Sequence, residues 1–394
     1  MATQTDNAES LNFLAGGLSA VDVNKVEREL NRLWAASGTN SGGDGQDAPV
    51  IKSCALNFVL LTGAELESQK AADDLLADIT TRHPMRAILT VIEEGAPDKI
   101  EAFVSARCHL LPGQKGKQLC CEQITVKWSG AKCKGESLAS LVTPLVIPDL
   151  PSWIFVHGGL PLSEINPFVA YTNHILIDSR SCSNSFTAFK KSIKGLHSLS
   201  RDGVVMDLSW RSIKPWRKAL AFAFDEEDVN ISAQSLGSLR SMVVRHGACG
   251  LSQSMYLASW LAQRLGYGFS SLVDSAGQGD LTMVFKGARG EAEPFTVNLK
   301  CNADARGINS VELAFYPDQN IAPLKVDFEA GALKVSHEDR AEYVELPYSE
   351  DRMDGTTTED STIDLLDKVL KVLSQDFVYL DTLFALGTIC GDKQ

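Results

Sequence analysis

Apolar runs of strand length alternate with helical segments through the first half of the chain, and this alternation constrains the fold more than any other feature. The runs CALNFVLLT and MRAILTVIEE have the composition of strands that are buried on both faces. Between them, ELESQKAADDLLADITTRH has helical spacing and ends before Pro84. Buried strands that alternate with helices indicate an α/β layer architecture whose sheet is at least partly parallel.

The last third of the chain has a different pattern. From about residue 267 to residue 347, short alternating segments such as LTMVFKG and PFTVNLKC are separated by turn signals, which is typical of an antiparallel meander. The segment STIDLLDKVLKVLSQDFVYLDTLFALGTIC then has a helical pattern. We therefore predict an α/β fold whose later part carries an antiparallel β meander and C-terminal helices. The predicted parts are a flexible tail at 1–20, an N-terminal domain at 21–182 with a flexible linker at 37–49, and a C-terminal domain at 183–394.

The charge balance excludes some classes of partner. The net charge is −13 at pH 7, whereas non-specific binding to nucleic acid or to an anionic membrane needs a positive excess. No apolar run approaches the roughly 18 residues of a membrane-spanning helix. The first residues lack a basic segment ahead of an apolar stretch, so we expect no export signal, a cytoplasmic location and reduced thiols.

The common catalytic signatures are missing from the sequence. It contains no G-x-x-x-x-G-K-[ST] phosphate loop, no G-x-G-x-x-G after a strand, no G-x-S-x-G elbow and no H-E-x-x-H. Their absence makes an enzyme less expected but does not exclude one. We predict no catalytic residue and no cofactor.

Four cysteines lie close enough in the sequence to be tested as a metal site: Cys108, Cys120, Cys121 and Cys133. Structural zinc sites use C-x₂₋₄-C pairs, whereas eleven residues separate the first two cysteines here. The adjacent pair on a strand would point to opposite faces. We favour buried, inert thiols and predict no metal site, and a disulfide across neighbouring strands is the remaining alternative.

Charge is unevenly distributed along the chain. The segment Phe186–Lys218 contains eight basic residues against two acidic ones, and the segment Glu338–Lys368 contains eleven acidic residues against three basic ones. Each segment is either an interaction surface or an ordinary solvated face. Within the basic segment, Trp210 and Trp216 are each followed by arginine. These pairs could form a partner surface, since tryptophan and arginine are frequent in interface hot spots, or they could be core tryptophans with an arginine stacked over them.

Several motifs in order resemble the glucose-6-phosphate dehydrogenase assembly protein family, also called OpcA. They are VERELNRLW, LCCEQITV, LASLVTPLVIPDLPSWIFVHGG, HILIDSRS, DLSWRSIKPWRKALAFAFD and MYLASWLAQRLGYGF, from about residue 21 to residue 270. The resemblance implies two fused α/β domains and a non-catalytic role. It implies that the chain binds glucose-6-phosphate dehydrogenase, promotes the active oligomer of that enzyme and activates it.

The aromatic and arginine residues inside these motifs are the predicted partner-binding residues: Trp153, Trp210, Arg211, Trp216 and Arg217. One motif departs from the family pattern, because Trp153 is followed by isoleucine and phenylalanine where relatives have a second tryptophan. The sequence contains no C-x-x-C, so we do not extend the redox control of cyanobacterial members to this chain.

The alternative hypothesis is an α/β enzyme or a sugar-phosphate-binding protein. Strands that end in DSRS and RHGACG precede predicted helices, and a helix N-terminus with small residues binds phosphate well. The polar lining of this anion site would be Asp178, Arg180, Arg245 and His246. Cys249 in the second turn could act as a nucleophile, although we favour a simple glycine-rich connection.

Overall fold

The computed structural model divides the chain into two compact units, one of residues 1–177 with 202–205 and one of residues 178–201 with 206–394. The structure describes residues 19–39, 50–93, 95, 97–110, 118–131, 135–157, 162–172, 174–182, 184–225, 239–274, 280–287, 294–317, 321–329, 331–337, 344–347 and 361–391.

The first sheet has nine strands among the described residues. They are β1 Ser19–Val21, β2 Val50–Lys52, β3 Leu56–Gly63, β4 Met85–Glu93, β5 Lys99–Leu110, β6 Gln118–Ser129, β7 Ser152–Val156, β8 His174–Ile177 and β9 Val204–Asp207. Their order is β1-β5-β6-β4-β3-β7-β8-β9, and β2 pairs with β6. The pairs β6–β4, β4–β3, β3–β7 and β7–β8 are parallel. The central strands are buried throughout, which is why they read as continuous apolar runs.

Within the described residues of the first unit there are three α-helices: α1 Val26–Thr39, α2 Leu66–Arg82 and α3 Gly135–Val142. A buried ion pair ties α1 to the sheet. Arg86 on β4 and Glu122 on β6 are register partners, and the Arg86 Nη2 atom lies 2.6 Å from Glu122 Oε2. Arg86 also donates to Glu27 at 2.5 Å, and Trp34 donates to Glu122 at 2.7 Å. These contacts hold two buried charges and the first helix together.

The second sheet has eight strands among the described residues and is largely antiparallel. They are β10 Leu239–Ala248, β11 Tyr267–Asp274, β12 Leu281–Gly287, β13 Phe295–Arg306, β14 Ile308–Phe315, β15 Leu324–Glu329, β16 Ala332–His337 and β17 Val344–Pro347. The order is β11-β12-β13-β10-β14-β15-β16-β17, in which β10 and β13 run parallel and the other pairs run antiparallel. The predicted α/β class and its meander are therefore confirmed.

The helices of the second unit are α4 Phe186–Leu199, α5 Leu208–Ser212, α6 Lys214–Asp225, α7 Leu251–Arg264, α8 Thr362–Leu370 and α9 Phe377–Cys390. The spacing of apolar residues in WRSIKPWRKALAFAF predicts one helix, but the structure divides this stretch between α5 and α6 at Ile213. Pro215 lies in the first turn of α6, where the missing N–H of proline has no helical partner to lose. C-terminal helices are present as predicted.

The prediction of free thiols is wrong for Cys108 and Cys120, which form a disulfide. The physical reason is the register of the β5–β6 hairpin, which places these two residues directly opposite each other with their Cα atoms 4.1 Å apart. Cys121 is a buried free thiol as predicted, and Cys133 lies outside the described residues.

Parts of three other predictions fall outside the described residues. Of the predicted tail, residues 19 and 20 belong to β1, which pairs with β5, and residues 1–18 are not described. Of the predicted linker, residues 37–39 complete α1 instead, and residues 40–49 are not described. Most of the acidic segment is also outside the description. No helix in the described part of the chain is long and apolar enough to cross a membrane.

Candidate functional site

The predicted Trp-Arg motif lies in an aromatic cluster of the second unit. The Arg217 guanidinium lies over the Trp210 ring, with its central carbon 3.6 Å from the ring centroid. Trp210 donates its indole N–H to Asp376 Oδ2 at 3.0 Å. The same carboxylate caps α9, since Asp376 Oδ1 accepts from the backbone N–H of Tyr379 at 3.0 Å. Trp210 therefore links α5, α6 and the start of α9.

Two tyrosines extend this cluster into the core. The Tyr256 ring of α7 lies 6.0 Å from Trp210 and 6.0 Å from Tyr379, and Trp210 lies 5.7 Å from Tyr379. Both tyrosines have no exposed surface. We call Trp210, Arg217, Tyr256, Asp376 and Tyr379 the aromatic cluster.

A buried carboxylate lies directly beneath the aromatic cluster. Asp207 caps α5 by accepting from the backbone N–H of Ser209 at 2.9 Å, and it also accepts from the N–H of Ser179 at 3.1 Å and the hydroxyl of Tyr256 at 2.9 Å. Burial raises the pKa of this carboxyl to about 6, although the hydrogen bonds from Ser179 and Ser209 oppose the rise. Three serine hydroxyls form a hydrogen-bonded chain beside this carboxylate. The Ser209 oxygen lies 2.8 Å from that of Ser179 and 3.0 Å from that of Ser252.

The tryptophans predicted to bind a partner are all in the core. The exposed fractions of Trp153, Trp210 and Trp216 are 0%, 4% and 1%. A ring without exposed surface cannot touch a partner unless the fold opens locally, so the structure gives these rings a packing role rather than a contact role. The two arginines of the motif, Arg211 and Arg217, are partly exposed. Of the two interpretations left open for the motif, a core tryptophan with an arginine stacked over it describes Trp210.

Trp153 belongs to the first unit, on β7. Its ring stacks on His174 of the neighbouring strand β8, with ring centroids 4.1 Å apart and planes 18° from parallel. The two residues are register partners in the parallel β7–β8 pair, so the stacking follows from the sheet itself.

The four residues predicted to form an anion site are each engaged elsewhere. Arg180 makes a bidentate pair with Asp178, at 2.8 and 2.7 Å, and also donates to Thr362 at 3.0 Å. Arg245 is exposed and pairs with Glu312 at 2.5 Å.

His246 completes the set of four, and it is fully buried beside the Gly247 carbonyl. Asp178 and Arg180 thus neutralise each other, while Arg245 and His246 differ in exposure. One open cavity is lined by Arg245 together with residues of β10 and β13, and its lining does not include the other three residues.

Burial makes several of the described thiols harder to ionise. Burial raises the pKa of the Cys54, Cys121 and Cys182 thiols, and it raises that of Cys390 to about 12. Cys249 has a left-handed backbone, with φ of 62°. Within the described ranges, no three His, Cys, Asp or Glu side chains are grouped closely enough to hold a metal ion.

The sequence-based reasoning missed most of the aromatic cluster and the carboxylate beneath it. An aspartate before a helix, as in DLSW, is a recognisable N-cap signal and could have indicated Asp207. Nothing local could have indicated its burial, because the residue that covers it, Tyr256, is 49 residues away. Asp376 precedes α9 and carries the same N-cap signal.

Two relatives carry the name OxPP cycle protein OpcA. The protein of Nostoc punctiforme is 25% identical over 231 residues, which are 57% of this chain and 46% of the relative. The protein of Synechococcus elongatus is 24% identical over 211 residues, which are 52% of this chain and 45% of the relative. The chain therefore spans about half the length of the curated relatives it matches.

Solved structures of oxidoreductases also superpose on the chain. An oxidoreductase from Sinorhizobium meliloti has 10% sequence identity and a TM-score of 0.45, covering 85% of this chain and 96% of its own. A 3-ketoreductase from Actinomadura kijaniata has 11% identity and a TM-score of 0.44, covering 84% and 95%. TM-scores below 0.5 carry no argument about activity.

Two family models match the chain in sequence order. Residues 76–193 match a domain described as the N-terminal domain of a glucose-6-phosphate dehydrogenase subunit. Residues 204–383 match the C-terminal domain of the same description. Together the two matches cover most of the chain, which therefore belongs to the OpcA family of glucose-6-phosphate dehydrogenase assembly proteins.

Proposed function

We propose that this protein is a non-catalytic assembly factor and allosteric activator of glucose-6-phosphate dehydrogenase, acting in the cytoplasm at the oxidative branch of the pentose phosphate pathway. The observation that carries the proposal is the pair of family matches, which name a subunit of this dehydrogenase and cover both units of the chain. The names of the cyanobacterial relatives agree with it.

The environment of the buried titratable groups supports a non-catalytic role. A general acid or base must reach a substrate, yet Asp207 is buried beneath Tyr256 and accepts three hydrogen bonds. The candidate anion-site residues Asp178 and Arg180 are paired with each other. These contacts are structural, which supports the proposed non-catalytic role.

Activation by a bound partner needs only a difference in affinity. If the chain binds the active state of the dehydrogenase more tightly than the inactive state, the equilibrium shifts toward the active state. A difference of about 2.7 kcal/mol in binding free energy shifts it roughly a hundredfold. No residue of this chain has to enter the dehydrogenase active site for this effect.

The proposal is tested by titrating this chain into its cognate dehydrogenase. We expect a lower apparent KM for glucose 6-phosphate or a higher kcat, together with a larger species in light scattering after size exclusion. Serum albumin at the same concentration is the control for non-specific protein effects. If the rate, the apparent KM and the oligomer size all stay constant, the proposal is wrong.

A further inference from the structure

Helix α9 has an unusual composition for a helix at the surface. Its sequence FVYLDTLFALGTIC is mostly apolar, and its one charged residue, Asp381, lies on the same face as Phe377 and Phe384. Helices with so few polar residues are normally buried. Phe377 and Phe384 are nevertheless 75% and 47% exposed, and Leu373 just before the helix is 57% exposed. The two phenylalanines are seven residues apart, which places them on the same face two turns apart.

The opposite face of α9 accounts for its place in the second unit. Tyr379, Leu383 and Leu386 have no exposed surface, and the helix packs against α4, α7 and β11. The core therefore uses one face of the helix. The exposed phenylalanines lie on the other face, where Phe384 keeps a contact with His197 of α4 and Phe377 is 75% exposed. We call Leu373, Phe377 and Phe384 the α9 face.

Basic groups of α4 flank the α9 face on one side. The His197 ring meets the Phe384 ring edge to face, with centroids 4.9 Å apart. Lys190 and Lys194 lie close enough to Cys390 at the end of α9 to lower the pKa of its thiol, against the larger effect of burial. These three residues belong to the basic segment Phe186–Lys218.

Arginines flank the other side and the start of α9. Arg264 of α7 pairs with Asp381 of α9 at 3.7 Å. Burial, together with the nearby charges of Arg211 and Arg264, lowers the pKa of Arg217 to about 10, while the charge of Asp376 opposes the shift. Asp376 is already held by Trp210 and by the first turn of α9. Asp381, between the two phenylalanines, is paired with Arg264, and basic groups of α4 border the α9 face on a protein whose net charge is −13.

We propose that the α9 face is where the dehydrogenase docks, through an acidic surface that has an apolar centre. This inference rests on the proposed function and adds the surface that performs it. A second copy of this chain is disfavoured as the occupant by charge. A twofold contact centred on α9 would bring Lys190 and Lys194 of one copy near the same lysines of the other copy. The aromatic cluster acts indirectly, since Trp210 and Asp376 hold the start of α9 in place.

The test is a double variant, Phe377→Ser with Phe384→Ser, in the full chain. Binding to the cognate dehydrogenase is measured by calorimetry, and activation is measured by rate. We expect affinity to fall by about tenfold or more, because aromatic anchors at an interface centre carry much of the binding free energy. The temperature of thermal unfolding should fall only slightly, since Phe377 is 75% exposed and Phe384 loses one edge-to-face contact with His197. The matched control is Leu66→Ser, a 66% exposed apolar residue on α2, which should bind like the wild type.

A second arm tests the charged border. Lys190→Glu with Lys194→Glu should weaken binding several-fold in low salt and by less in high salt, because added salt screens exposed charges. If the double phenylalanine variant binds the dehydrogenase as tightly as the wild type does, the α9 face is not the docking surface, although the proposed function is unaffected. A wild-type chain that neither binds nor activates the dehydrogenase would overturn both. If the wild-type chain alone is a dimer and the phenylalanine variant is a monomer, the occupant is a second copy and the inference is wrong.

Discussion

Asp207 shows how a single carboxylate can be linked to the stability of the fold. Its pKa is raised by burial from an ordinary value of 3.8 to about 6, so the folded state holds the proton more tightly than the unfolded chain does. The free energy of unfolding should therefore rise as pH falls through 6. Between pH 7.5 and pH 5 the gain from this group is about 1 kcal/mol.

Asp207→Asn removes this titration while keeping an oxygen for the backbone N–H groups of Ser179 and Ser209. We expect the difference in unfolding free energy between wild type and variant to grow by about 1 kcal/mol in favour of the wild type from pH 7.5 to pH 5. Urea unfolding at both pH values measures it. Asp202→Asn, on an exposed turn, should follow the wild type. Parallel pH profiles for Asp207→Asn and wild type would contradict the assignment.

The contact of Trp210 with an arginine could be predicted only in part from the sequence. The stacking of an arginine on Trp210 was foreseen as one of two interpretations, but the partner is Arg217, seven residues on, and not the adjacent Arg211. Helical spacing brings positions 210 and 217 to related faces only if both short helices continue in nearly the same direction. That direction depends on packing against Tyr256 and Tyr379, which no local pattern encodes.

At the scale of elements, α9 depends on one cap. Asp376 satisfies the Tyr379 backbone N–H with one oxygen and the Trp210 indole with the other. Asp376→Ala should lower the free energy of unfolding by about 1–2 kcal/mol and speed hydrogen exchange in the first turn of α9. Asp376→Asn should cost less, since asparagine caps helices nearly as well. Equal losses for the two variants would show that capping is not the reason.

The architecture of elements was the most predictable part of the fold. Buried strands alternating with helices predicted the first sheet, and alternation with turns predicted the meander. The sequence did not decide between free thiols and a disulfide for Cys108 and Cys120. The bond depends on the register of the hairpin, and register follows from the pairing of the two whole strands. The break at Ile213 was missed because proline in a first turn is compatible with a new helix as well as with a kink.

At the scale of the whole molecule, charge is unevenly distributed, with a basic segment in a chain of net charge −13. The basic segment Phe186–Lys218 is distributed over α4, β9, α5 and α6, and its α4 lysines border the α9 face. The partner-binding tryptophans predicted from the motifs lie inside the core, whereas exposed apolar residues lie on a helix that the motifs did not reach. Burial separated the two sets, and burial is a property of the folded molecule.

The basic groups that border the α9 face predict that the complex with the dehydrogenase depends on salt concentration. If a basic border meets an acidic partner, raising the ionic strength from about 0.05 M to about 0.5 M shortens the Debye length and should weaken binding to the dehydrogenase, chiefly through slower association. Surface plasmon resonance across that range separates association from dissociation rates. Affinity should fall several-fold for the wild type and much less for the Lys190→Glu and Lys194→Glu double variant. Binding that strengthens steadily with salt would mean that apolar contact alone joins the two proteins, with no role for the basic border.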